Sequence, residues 1–223
     1  MRSYVEVSAR HENVARIERL LDRIVPDPKL HARFVNTLAR LEYVGVRKIL
    51  KSRRAERLDL AGIQHILDEA VHTLRLKKAA AALGAACGAE VETFAAGATL
   101  AGDAAENYLQ ALDHRAEEAL GDVPEPARAE ANYLLTSAAI EVRAQVFYPL
   151  YERTLKARNA GFSVAAISKD EDRHLEEMSG GLQAALPDWQ RRLEPLLAAE
   201  EALFARFLGA LEETVQAAAR AHG

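Results

Sequence analysis

Two short runs, Glu69-Ala70-Val71-His72 and Glu171-Asp172-Arg173-His174, repeat one arrangement, Glu-x-x-His, and a single glutamate, Glu42 or Glu141, precedes each by 27 or 30 residues. The two halves are offset by 99 residues at the first glutamate and by 102 at the second glutamate and the histidine. A three-residue step on an α-helix turns through about 300°, so both side chains of each motif project to nearly the same side. The acids sit on faces that otherwise read as core. Glu42 lies among Leu38, Leu41, Gly45 and Ile49, and Glu141 among Ala138, Ile140, Ala144 and Tyr148. A buried carboxylate without a partner is costly or takes up a proton, so these acids must either meet cations or a metal, or face water as surface acids.

The rest of the chain fits such helices. Long Ala, Leu, Glu and Arg tracts, 6% aromatic residues, 12 Gly and 7 Pro favour helix and suggest no strand. A first helix is expected over 8–24, stopping at Val25-Pro26-Asp27-Pro28, and a second over 29–52, ending in the basic run Lys51-Ser52-Arg53-Arg54 as a solvated terminus. Asp59 is suited to cap a third over 60–82, loosened by Gly84 and Gly88. A helix over 103–120 lies in the connection before the Val123-Pro124-Glu125-Pro126 turn. A long helix over 127–158 is interrupted at Pro149, and another, capped by Ser163, runs to about Met178 and Gly180-Gly181. A last region covers 188–221, divided by Pro195, with Leu196, Glu200, Phe204, Phe207, Leu211 and Val215 as its buried stripe. Ser168-Lys169-Asp170-Glu171 also spells a capping box, which would put Glu171 at a helix start.

Composition removes several alternatives. With 49% apolar and 28% charged residues the chain should fold without staples, and its net charge of −4 provides no overall field to hold a nucleic acid or an anionic membrane. The lone Cys87 suits a reducing compartment. The longest uncharged run, Ala79 to Ala89, is 11 residues, and no apolar signal segment opens the chain, so a cytoplasmic protein is expected.

The order Glu, Glu-x-x-His, Glu, Glu-x-x-His resembles the ferritin-like di-iron carboxylate superfamily, in which four bundle helices supply these donors to two metal ions. The resemblance covers about residues 29–178 and implies one all-α domain over 1–223: a ferritin-like four-helix bundle with a long crossover and additional helices at 8–24 and 188–221. It implies Glu42 and Glu141 as single-helix carboxylates, Glu69 and Glu171 as acids shared between metals, and His72 and His174 as one imidazole each. The step of 69 positions from His72 to Glu141 corresponds to the crossover.

Around these six, His65 shares the stripe of Glu69 and His72 and is a candidate additional ligand or outer partner. Gln145 and Tyr148 follow Glu141 on its stripe as outer candidates, and Tyr43 adjoins Glu42. Asp68, Asp170 and Asp172 are expected to point to Arg or Lys neighbours, Cys87 to fill space, and His11, His31, His114 and His222 to lie at the surface. Carboxylate and imidazole donors suit Fe and Mn. The implied activity is a dinuclear iron oxidoreductase that uses dioxygen or peroxide to oxidise or oxygenate a small organic substrate. Two Fe ions are the expected cofactor, with Mn or mixed Mn/Fe as the alternative. Other readings are a manganese catalase or rubrerythrin-like peroxidase, a ferritin-like iron store, and a metal-free helical interaction protein. An electron donor and a homodimer stay open as partners, whereas nucleic acid and membrane do not.

Overall fold

A computed structural model describes residues 1–53, 55–125 and 127–222. Three expectations, for Arg54 in the basic run, for Pro126 in the second turn and for the His222 side chain at the surface, lie outside the described residues. Among the described residues there are eight α-helices and no strand: α1 (Arg2–Ser8), α2 (Asn13–Ile24), α3 (Pro28–Ser52), α4 (Leu60–Cys87), α5 (Ala104–Glu118), α6 (Ala127–Ala157), α7 (Ala165–Ala185) and α8 (Trp189–His222). The fold is all-α.

Local chemistry sets several boundaries. Asp27 accepts hydrogen bonds from the Lys29 and Leu30 amides, both at 3.0 Å, with Pro28 in the first turn, where a missing donor costs nothing. Asp59 caps α4 through the Gly62 amide at 2.9 Å. Gly88, at φ 71°, ends α4 in the left-handed conformation that glycine adopts without penalty.

α3 packs along α4 and α6 along α7, and the two hairpins meet where α3 touches α6 and α4 touches α7. α5, in the crossover, lies on α3, α6 and α8, while α2 and α8 cover α6. Buried apolar side chains form two clusters. One gathers Ile17, Phe34, Leu38, Leu76, Tyr151, Ile167 and Phe204; the other gathers Ile49, Leu112, Leu135, Met178, Leu182 and Leu193. α3 passes from the first cluster through Glu42 to the second, and α6 passes from the second through Glu141 to the first. α7 likewise carries Glu171 and His174 between Ile167 and Met178. The acids therefore occupy a waist between two dry cores.

Several boundaries differ from the sequence expectation. The helix expected over 8–24 begins only at Asn13, after a separate short α1, and Asn13 turns inward and donates to the Glu201 carbonyl at 3.0 Å and to its carboxylate at 2.8 Å. α4 runs through Gly84, where a Cβ would meet the Ala89 carbonyl oxygen at 2.7 Å, so this glycine admits the returning chain rather than loosening the helix. α7 continues past Gly180-Gly181 to Ala185, since a Cβ on Gly181 would meet Leu134 at 2.7 Å: the glycine lets α6 and α7 approach. Both α6 and α8 are continuous through Pro149 and Pro195, so Pro195 does not divide the last helix. Arg53 is not a solvated end. It reaches Glu130 at 2.9 Å and Asp59 at 3.1 Å and lies over the Tyr133 ring. His31 is buried, 2.8 Å from the Tyr151 hydroxyl and stacked on Phe162, so the surface expectation for it fails. His114 is exposed, and His11 is half-exposed and pairs with Glu201 at 3.1 Å.

Candidate metal centre

Seven donor side chains from four helices converge at the waist: Glu42 from α3; His65, Glu69 and His72 from α4; Glu141 from α6; Glu171 and His174 from α7. They form two overlapping groups. In one, donor atoms of Glu42, Glu69, His72 and Glu171 lie within 4.8 Å of one another; in the other, His65, Glu69, Glu141 and His174 do so. Glu69 belongs to both. Glu171 also spans the cluster, with Oε1 3.3 Å from His72 Nδ1 and Oε2 2.9 Å from His174 Nδ1. Glu42 keeps 10% of its side chain exposed, and the other six are buried. Glu171 lies two turns inside α7, so the capping box at Ser168 does not operate. Ser163 instead accepts from the Ala165 amide at 3.2 Å.

The outward nitrogen of each imidazole has a partner. His72 Nε2 lies 3.1 Å from Asp170 Oδ2, His174 Nε2 lies 3.4 Å from Asp68 Oδ2, and His65 Nδ1 lies 2.7 Å from the Tyr133 hydroxyl. Such partners fix ring orientation and tautomer, leaving the inward nitrogen able to bind a cation. Each aspartate serves the histidine of the opposite motif. Basic neighbours are present as expected, Arg173 meeting Asp68 at 2.5 Å and Arg75 coming within 3.8 Å of Asp170, but the expectation that these aspartates point away from the ligands is corrected. Tyr148 donates a short hydrogen bond to Glu42. Gln145 makes no such bond: its Nε2 is buried without a hydrogen-bond partner. Tyr43 is exposed and stacks on Phe94.

The electrostatics are those of acids crowded in a dry place. Burial first, then the carboxylates of Glu42 and Glu171, raise Glu69 well above the ordinary carboxylate range. Glu141 rises for the same reasons, burial leading and Glu171 and Glu69 following. Burial also works against Glu171, but the hydrogen bond to His174 and the His72 imidazole 3.3 Å away outweigh it and hold this carboxyl low. His72 is opposed by burial, yet Glu171 and Glu42 push it up to about 11. Burial, helped by the neighbouring His174, brings His65 down to about 3. Positive charge is therefore demanded around Glu42, Glu69 and Glu171, and protons supply it only in part. Glu141 Oε2 and His72 Nδ1 are buried without any hydrogen-bond partner. Such orphans are rare in folded proteins unless an ion or water takes the place.

Comparison with family models, with curated proteins and with solved structures finds no match to this chain. The site's chemistry rests on its own geometry. Four carboxylates and three imidazoles could hold two divalent cations, whose charge would balance the four acids, and oxygen and nitrogen donors of this kind suit Fe or Mn.

The spacing of the sequence marks all six expected donors, and the structure brings the six together. His65, left open between ligand and outer partner, stands in the inner group at 3.2 Å from Glu69. Tyr133 carried no signal, since its partner His65 is 68 residues away in the chain. The crossed roles of Asp68 and Asp170 were equally hidden, though both precede a motif glutamate by one residue.

No helix among the described residues is long and apolar enough to cross a membrane.

Proposed function

We propose that this chain is a ferritin-like dinuclear metal oxidoreductase, with two iron ions, that uses dioxygen or peroxide to oxidise or oxygenate a small organic substrate. The observation that carries the reading is the membership of Glu69 in both donor groups, because a carboxylate shared between two four-donor sets is what a pair of bridged cations requires. Glu42 and His72 would hold one ion, Glu141, His65 and His174 the other, and Glu69 and Glu171 would be shared. Bound there, iron supplies electrons and a Lewis-acidic position for an oxygen ligand. The chain does the rest. Asp170 and Asp68 keep two imidazoles turned inward, Tyr148 steadies Glu42, and the apolar clusters on either side keep bulk water out. The α3–α4 and α6–α7 hairpins, joined by a crossover that contains α5, support the ferritin-like arrangement.

Metal analysis of protein expressed with iron tests this reading. About two Fe or Mn per chain are expected, with loss of binding in Glu69→Ala and Glu171→Ala. Unchanged metal content in those variants would overturn it.

A further inference from the structure

Seven large apolar side chains stand exposed among the described residues, and four of them lie on one face of α4. Leu60, Ile63, Leu67 and Leu74 are 81, 51, 54 and 52% exposed, and the half-buried Val71 completes the stripe. A two-residue step turns an α-helix through about 200°, so Leu67 points away from His65 and Glu69 and from the bundle. Scattered exposed leucines are ordinary, whereas a continuous apolar patch marks a surface that another protein covers.

The order of the side chains says which protein. Outward from Leu67 the stripe is the same in both directions: a β-branched residue stands four positions away on either side, Ile63 and Val71, and a leucine seven positions away, Leu60 and Leu74. A two-fold axis crossing α4 at Leu67 sets Leu67 beside the partner's Leu67, Ile63 beside the partner's Val71 and Leu60 beside the partner's Leu74. An isologous contact needs a surface that complements itself in this way. A different partner would place no such demand on the order.

Charge agrees with the same arrangement. Lys78 stands eleven positions after Leu67 and so on the same face, and Asp59 caps the opposite end of the helix; both are exposed. Antiparallel copies bring each Lys78 within a side chain's reach of the partner's Asp59, whereas parallel copies would set Lys78 on Lys78. From Leu60 to Leu74 the stripe is about 21 Å long. A contact of one helix on one helix is small beside an obligate interface, so the pair should come apart on dilution.

We propose that the chain pairs with a second copy of itself through this face of α4, the two helices running antiparallel about a two-fold axis at Leu67. Pairing of this kind is independent of metal, because the donor cluster faces the other side of the helix.

Analytical ultracentrifugation of the full chain, from micromolar to sub-millimolar concentration, tests it. The mass should rise with concentration from 24.5 kDa toward twice that value. Leu67→Lys sets two ammonium groups side by side on the axis and should stay monomeric throughout, with its helical content by circular dichroism unchanged. Lys78→Glu sets acid beside Asp59 and should weaken the dimer about fivefold at low salt, an effect that high salt removes. Cross-linking fixes the direction of the helices. In a Cys87→Ala background, Leu67→Cys should join to its own copy through a short bismaleimide. Leu60→Cys, about 21 Å from the same residue of the copy, should not join alone but only when mixed with Leu74→Cys. A wild-type chain that keeps its monomer mass throughout, a Leu67→Lys chain that still doubles, or a Leu60→Cys chain that cross-links by itself would overturn the proposal.

Discussion

The imidazoles of His65 and His174 lie with ring centroids 4.2 Å apart, one from α4 and one from α7, beside Glu69 and Glu141. The two halves of the cluster are therefore unequal: one offers two imidazoles, the other, around Glu42 and Glu171, offers only His72. His65→Gln should weaken one of two bound metals by at least about tenfold and spare the other, since even outer partners of metal ligands are worth about 10–100-fold. Metal titration against a competing chelator reads this directly. Two equally tight metals in the variant would remove His65 from the ligand set.

Asp170→Asn leaves His72 an outward partner but removes its charge, and the 3.1 Å contact makes the effect local. Metal affinity should fall about 10–100-fold with helical content unchanged by circular dichroism. An affinity equal to wild type would mean that Asp170 does not orient the ring.

A Cβ on Gly45 would lie 3.2 Å from Glu69 Oε2. Gly45→Ala should keep or raise the stability of the metal-free chain, because alanine gains up to about 1 kcal/mol over glycine inside a helix. It should at the same time weaken metal binding about tenfold by displacing the shared carboxylate. Thermal melting and metal titration separate the two effects. A joint fall would point to misfolding instead.

How much of this was written in the sequence depends on the distance over which the signal acts. Glu-x-x-His fixes a helix face by itself, and the cap at Asp59 acts within three residues, so both were legible. Gly84 and Gly181 read as helix breakers because the backbones or side chains that approach them belong to other segments. The inward turn of Asn13 depends on Glu201, 188 residues later, and no local pattern announces it. His31 was misread for the same reason, its partner Tyr151 being 120 residues away.

Burial lowers His31 from its ordinary 6.5 to about 4. The unfolded chain takes up this proton below about pH 6.5 and the folded chain only near pH 4, so the folded state loses stability as pH falls through that window and no more below it. The full effect is about 3 kcal/mol. Urea unfolding from pH 7 to 4 should show a shallower pH dependence in His31→Gln than in wild type. Parallel curves would show that the ring is already solvated.

Arg143 and Glu200 form a buried pair at 2.7 Å, whereas Arg16 and Glu212 pair at 2.8 Å nearer the surface. Glu200→Ala should cost about 3 kcal/mol by leaving Arg143 undercompensated and the Tyr108 hydroxyl without its acceptor. Glu212→Ala should cost no more than about 1 kcal/mol. Equal urea midpoints for the two variants would contradict the ranking.

The aspartate that steadies each motif histidine comes from the opposite hairpin, Asp68 on α4 for His174 and Asp170 on α7 for His72. Neither half can finish its own ligand without borrowing from the other, so the centre behaves like a buckle whose prong and frame sit on different straps. A severed α3–α4 or α6–α7 fragment would carry half the donors but no clasp, and tight metal capture would report that both straps have been drawn together.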